Sequence, residues 1–334
     1  VLFRSWQRNS MPEFEPIMNS PLDTFLETST YADAFNAYKE RHIAKQQAED
    51  GMRSGPPSIL AFYDDEIVSE TTWKGERPGV EDIKSGADLT GADLSEMDLS
   101  VVDLSNCDLS YADLYATNLS GANLSKSDLV GVYASRAKLD NANFESSLLD
   151  DGTFKNASLV GANLSNVDAN NTHFENADLS KANLSRSTFK SASFQNANMS
   201  GADISEAKGN VFTDFLGTNL SDADLSSVQF QRSVFEDADL TNAYLYRANL
   251  RQANLRNAIF RNADLNEADL TDAELDGAIL RDADLTGAVL DKGWEQSVGM
   301  RSRRITPEDK KNIRSFVADL AGEDGKNSNS KAIA

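Results

Sequence analysis

The sequence predicts an all-β solenoid, and two observations predict it. Residues 85–290 repeat a five-residue unit almost without a break, as in Gly86-Ala87-Asp88-Leu89-Thr90, Gly91-Ala92-Asp93-Leu94-Ser95, Gly121-Ala122-Asn123-Leu124-Ser125 and Lys181-Ala182-Asn183-Leu184-Ser185. With Leu as position i, position i−2 is small, usually Ala. Position i−1 is usually Asp or Asn, i+1 is often Ser or Thr, and i+2 is polar or Gly. On a helix, five steps of ~100° leave a net advance of about 140°, so the Leu side chains would ring the cylinder and bury no face. In extended chain, i−2 and i share one side. Each unit thus offers one small and one large inward residue, then has to turn. A short unit that buries its apolar side only by stacking on its neighbours builds a solenoid.

These units closely resemble the A(D/N)LXX motif of the pentapeptide-repeat family. The resemblance spans well over half of the chain, and it is specific because the motif recurs in register. It implies a right-handed quadrilateral β-helix with four pentads per coil; a period of five alone does not give four sides.

Position i falls at Leu89, Leu94 and every fifth residue to Ile204, and again from Phe215 to Leu290, with one weak unit at Gly209 between them. The step from Gly209 to Phe215 is six residues, so one residue is added near Gly209-Asn210-Val211, as a bulge. About ten coils and a rod of roughly 50 Å follow from the ~4.8 Å strand spacing. With four pentads per coil, Phe154, Phe174, Phe194, Phe215 and Phe235 fall in one column that continues to Leu255. The rings are expected to stack down the core with Leu89, Leu94 and the other i residues.

The chain has 334 residues, 40% of them apolar, and no apolar run near the ~20 residues of a membrane span. Its one cysteine, Cys107, excludes an internal disulfide framework and reads as a small core residue at i−2. Net charge is −21, and −17 of it lies on the repeats, which hold 31 acidic and 14 basic residues. Such a rod repels nucleic acid and favours basic partners. The repeat itself also explains the acidity, since it places Asp outward at i−1.

Residues 1–10 read as a non-native leader, with Met11 as a plausible start and no secretory signal after it; the cytoplasm is the expected setting. Residues 11–58 read as a helical segment and linker: Ser20-Pro21 suits a helix start, and Phe25, Phe35, Tyr38 and Ile43 form a loose stripe. His42 reads as a surface residue. Residues 59–84, with Trp73, read as an N-terminal cap on the repeats of 85–292. Residues 293–322 read as a C-terminal cap. There Thr306-Pro307-Glu308-Asp309 starts a helix whose apolar face is Ile313, Phe316, Val317 and Leu320. In the family, C-terminal elements also dimerise, so that helix is expected to cap the solenoid or pair two copies. Residues 323–334 have the composition of a disordered tail.

Surface candidates follow the charge. Asp88, Asp93, Asp98, Asp103, Asp108 and Asp113 fill six consecutive i−1 positions, with Glu96 beside them. Arg247, Arg251, Arg256 and Arg261 form a basic belt, suited to salt bridges between coils or to partner contact. Asp264, Asp269, Glu274 and Asp284 then restore the negative field. His173, at i−1, is expected to face solvent. A catalytic acid pair needs a pocket, and a filled solenoid offers none. No phosphate loop, metal-ligand cluster or nucleophile–base signature stands out, and a core packed with Leu, Phe and Ala leaves no room for a cofactor.

The expected function is a non-enzymatic scaffold that presents an acidic rod to a protein partner. The resemblance adds a second reading, since some family members look like duplex DNA, bind type II topoisomerases and confer quinolone resistance. This chain lacks long inserted loops like those some of those members use. A third reading, an enzyme with its chemistry in residues 11–84, has no motif behind it.

Overall fold

The computed structural model describes residues 77–291, Trp294 and Arg314–Ser315. The chain divides into two compact units, 1–72 and 73–334, and every described residue belongs to the second. The expectations for the leader, the N-terminal helix, Trp73 and the tail lie outside the described residues.

The repeats form a parallel ladder of single-residue bridges, always at i−1. Asp88 bridges Asp108, Asp93 bridges Asp113, Asp98 bridges Asn118 and Asp103 bridges Asn123. Each partner is 20 residues on, so four pentads close one coil, and i−1 side chains stack in four columns down four faces. Across the weak unit the offset becomes 21, as in Asn198 to Asn219, and it returns to 20 from Asp214 to Val234.

One pentad shows why the unit has five residues of these types. The Asp108 N–H donates to Ala87 O (3.0 Å) on the preceding coil, and the Leu109 and Tyr111 N–H groups donate to Asp128 O (2.7 Å) and Val130 O (2.8 Å) on the next. The Ala112 N–H closes the turn on Leu109 O (3.0 Å). That leaves the N–H of Ser110, which donates to the Asp108 side chain at 3.0 Å. Every backbone donor is satisfied, as a buried ladder demands, and the last bond needs an Asx oxygen two residues back. In some units where i−1 lacks that oxygen, a side chain of the coil above supplies it. Val160 follows Ser158 and donates instead to Asp140 Oδ1 (3.1 Å) on the coil above.

The turn puts every i+2 residue from Gly86 to Gly287, apart from the enlarged unit, at a φ between 53° and 76°. Asn, Asp and Gly tolerate this left-handed conformation, and β-branched residues do not. Val101 nevertheless holds it at φ 55°, with 80% of its surface exposed. Val101→Asn is therefore expected to stabilise the protein, by about 1 kcal/mol, because left-handed backbone costs most L-residues roughly 1–2 kcal/mol. Urea unfolding of the two proteins measures the difference.

The core is one continuous column of buried i and i−2 residues from Ile83 to Trp294. Leu89 and Leu94 are buried as expected. Phe154, Phe174, Phe194, Phe215 and Phe235 stack at centroid distances of 5.2, 5.1, 4.9 and 4.6 Å, near the coil spacing. Phe189 and Phe230 meet this stack edge-on from a neighbouring face, and Phe144 meets it edge-on from the opposite one. Cys107 is buried, and its Sγ lies 3.1 Å from Lys84 O.

The added residue is Asn210. Its side-chain Oδ1 accepts from the N–H of Ser191 (2.8 Å) on the coil above and of Phe212 (3.1 Å) in its own turn. In a regular unit a backbone carbonyl serves the coil above. Here the Asn210 carbonyl instead closes the turn with the N–H of Thr213 at 2.9 Å. One side chain thus replaces the ladder acceptor that the insertion displaces.

The C-terminal end differs from the sequence expectation. Residues 306–322 carry a helical pattern, but Arg314–Ser315 (β2) is extended and pairs in parallel with Val289–Leu290 (β1), with Val289 opposite Arg314. An open ladder edge presents unpaired backbone groups. Here that tertiary demand outweighs local helix preference. The rest of the expected helix lies outside the described residues. At the other end, a 3-10 turn at Val80–Asp82 leads into Ile83, whose side chain joins the core.

Candidate interaction surface

In an extended segment i−1 and i+1 both point outward, so each face of the coil carries two columns of side chains. Asp88 and Asp108 share one i−1 column, Asp93 and Asp113 a second, and Asp98 and Asp103 head the other two. None of these carboxylates is a free outward charge. Each accepts the N–H two residues on: Thr90, Ser95, Ser100, Ser105, Ser110 and Tyr115, all at 2.9–3.2 Å. Asn118 and Asn123 also donate their side-chain amides up the column to Asp98 (2.8 Å) and Asp103 (3.0 Å). The acidic lattice is thereby fixed in place by the backbone that carries it.

These bonds hold the carboxyls of Asp93, Asp98, Asp103, Asp108 and Asp284 below the usual range, chiefly through the donors of the i+1 Ser or Thr. Asp113 moves the other way. Burial raises it most, and the charge of Asp93 adds to the rise. For the lowered group, the folded carboxyl releases its proton more readily than the unfolded one. Its stabilisation is present above the unfolded value of about 3.9 and is lost as pH falls through the folded value. The protein is therefore expected to keep its melting temperature down to about pH 4 and to lose it steeply below. A series of melts from pH 7 to pH 2 checks this. A decline beginning near pH 6 would point to other groups.

The basic belt is largely neutralised by the next coil. Arg247 pairs with Glu267 at 2.7 Å, Arg251 with Asp269 at 3.3 Å and Arg256 with Glu274 at 3.1 Å. These are exposed pairs, each worth ~0–1 kcal/mol. Arg261 makes no ion pair with any described residue. Among the acidic candidates of the last coils, Asp264 and Asp284 receive only neutral donors, from Asn266 and Thr286.

His173 differs from expectation. It is half-buried, and its Nδ1 lies 3.0 Å from Glu175 Oε1. Burial pushes Glu175 up, but the hydrogen bond and charge of His173, with Lys155 behind them, hold its carboxyl below the usual range. The separation of His173 and Glu175 by one inward residue signals this pairing, because i−1 and i+1 flank the same rung. Among the described residues no group of His, Cys, Asp and Glu is arranged to hold a metal ion, and no helix is long and apolar enough to cross a membrane. Burial pushes the Cys107 thiol up, which disfavours the thiolate.

The geometry defines a repeat protein whose side chains are either sealed in the core or displayed on a regular outer lattice. The model of pentapeptide repeats matches eight copies over residues 85–206 and 218–287, more than half of the chain. The chain belongs to the pentapeptide-repeat family, whose members fold as right-handed quadrilateral β-helices. The two matched stretches flank the enlarged unit.

Three solved structures illustrate the range of similar proteins. HetL from the cyanobacterium Nostoc sp. strain PCC 7120, described as involved in heterocyst differentiation regulation, is 30% identical over 61% of this chain and 89% of its own, with a TM-score of 0.34. A trypsin-treated variant of QnrB1, a plasmid-mediated fluoroquinolone resistance protein, is 18% identical over 59% and 94%, with a TM-score of 0.37. Rfr23 from the cyanobacterium Cyanothece 51142 is 26% identical over 37% and 88%, with a TM-score of 0.18. No curated protein matches the chain.

Proposed function

We propose that the protein is a non-enzymatic scaffold, a rigid acidic rod that binds a protein partner bearing a basic surface. The observation that carries this reading is the fixed carboxylate lattice on a filled core. Side chains held by their own turns lose little entropy on binding, so their charge acts at full strength. The partner-surface residues are Asp88, Asp93, Asp98, Asp103, Asp108 and Asp113 at one end, and Asp264, Asp269, Glu274 and Asp284 at the other, with Arg247, Arg251, Arg256 and Arg261 between. A cytoplasmic setting suits the single free cysteine.

Capture of a partner from native lysate at low salt, released as salt rises, is the expected result. Recovery of nothing at low salt counts against it. Asp98→Asn keeps the oxygen that Ser100 and Asn118 use. It is therefore expected to shift stability by under ~0.5 kcal/mol while weakening the captured complex.

The same acidity favours a second reading, mimicry of duplex DNA toward a type II topoisomerase. Gyrase supercoiling with and without the protein tests it. Inhibition or protection at micromolar protein supports it, and no effect removes it.

A further inference from the structure

We propose that the open groove beside Tyr246 is the docking site for an arginine-bearing segment of the protein partner. The proposal rests on the protein-binding reading above and names where and how that binding occurs.

The groove measures about 760 Å³ and is walled by Tyr246, Asp264, Glu267, Thr286 and Val289. It arises from one column. Tyr246, Asn266 and Thr286 occupy successive i+1 positions 20 residues apart, so a large ring gives way to two shorter side chains. Tyr244 is 57% exposed in the adjoining i−1 column, above Asp264. Exposed tyrosines lose little side-chain entropy on binding and are enriched at protein interfaces.

The groove's chemistry is that of a guanidinium site. Arg247 already shows it in cis, with its guanidinium carbon 4.8 Å from the Tyr246 ring centroid and Nε 2.7 Å from Glu267 Oε2. Arg247 neutralises Glu267 only. Asp264 and Asp284, in the same i−1 column, pair with no described Lys or Arg, unlike Asp269 on a neighbouring face and Glu274 on the opposite one. An aromatic wall, the Asp264 carboxylate that no described cation pairs, and Glu267 beside it, all around one concavity, fit a planar cation that stacks and donates hydrogen bonds. A compact ammonium uses the carboxylates but gains less from the ring. A nucleic acid strand would be repelled, and so would a second copy carrying −21.

The test uses the full chain and a fluorescein-labelled hexa-arginine peptide, followed by anisotropy at low salt. Wild type is expected to bind hexa-arginine more tightly than hexa-lysine. Tyr246→Leu is expected to weaken hexa-arginine about two- to fivefold and to leave hexa-lysine unchanged. Asp264→Asn is expected to weaken both peptides, and by more than Asp98→Asn at the far end of the rod. Matching melting curves confirm that the variants fold. If Tyr246→Leu binds like wild type while both Asp→Asn changes weaken binding equally, the groove is not the site and the acidic-rod reading stands. If wild type binds neither peptide at low salt, both fall. Self-association that hexa-arginine disperses would assign the groove to a second copy and overturn the proposal.

Discussion

Phe194→Asp is expected to unfold the middle coils. The Phe194 ring is fully buried, stacked on Phe174 and Phe215 and edge-on to Phe189. Removing it forfeits about 3–5 kcal/mol of packing, and an ionised carboxylate in its place adds several kcal/mol of desolvation. The sum rivals the whole stability of a typical domain, about 5–15 kcal/mol. Each coil of a solenoid leans only on its neighbours, so the damage is expected to spread from residue 194 rather than to dissolve all coils at once. Limited proteolysis should cut within a few coils of the substitution, and the thermal transition should broaden or split. Phe194→Leu, the commonest i residue, is the control and is expected to cost under ~1.5 kcal/mol. If Phe194→Asp melts like the parent, the inward assignment of position i is wrong.

Gly209→Leu is expected to destabilise although it restores the repeat consensus. Gly209 occupies an i position, where Leu is the rule. A Cβ there would lie 2.6 Å from Thr213 Oγ1 and 2.7 Å from Phe230 Cδ1. The Phe230 ring on the next coil occupies that space, so a large residue is balanced by a missing one in the same column. Overpacking of this kind costs roughly 1–3 kcal/mol, or a melting temperature lower by roughly 2–12 °C for a chain of this size. Coupling separates this from a backbone effect. Gly209→Leu is expected to be milder in a Phe230→Ala background, because the cavity receives the new side chain. Equal costs in both backgrounds would place the penalty in the glycine backbone instead.

Most of this fold was legible because its period is short and its core periodic. The six-residue step at Gly209 could be read from spacing alone, and the Phe column once the family resemblance supplied the 20-residue coil, which brings the rings together only if one residue is inserted. The role of Asp and Asn at i−1 was not read. The pattern marked those positions as outward and acidic, whereas their first task is to accept the one backbone N–H that the ladder leaves over. The Ser or Thr two residues on, as in Asp88-Leu89-Thr90, carried that signal. The His173–Glu175 pair was hidden for a related reason, because a solvent-facing column can still half-bury long side chains against one another. The C-terminal strand could not be read, because Ile313, Phe316 and Val317 suit a helix equally well. Which conformation wins at Arg314 depends on the open ladder edge at Val289, over twenty residues away. The groove at Tyr246 was invisible for a simpler reason: it is made by residues of three coils.

Disulfide trapping across the inserted residue tests the coil geometry most directly. In a Cys107→Ala background, one variant carries cysteines at 198 and 219 and another at 198 and 218. Asn198 and Asn219 face each other across the ladder, with side chains in contact at 3.0 Å, whereas Thr218 points into the core. Mild oxidation is expected to close the 198/219 pair in the folded protein, within the Cα range of about 4.4–6.8 Å that disulfides require, and to leave 198/218 open. Closure of 198/218 with 198/219 left reduced would contradict the four-pentad coil enlarged by one residue, and with it the outer lattice on which the binding surface is built.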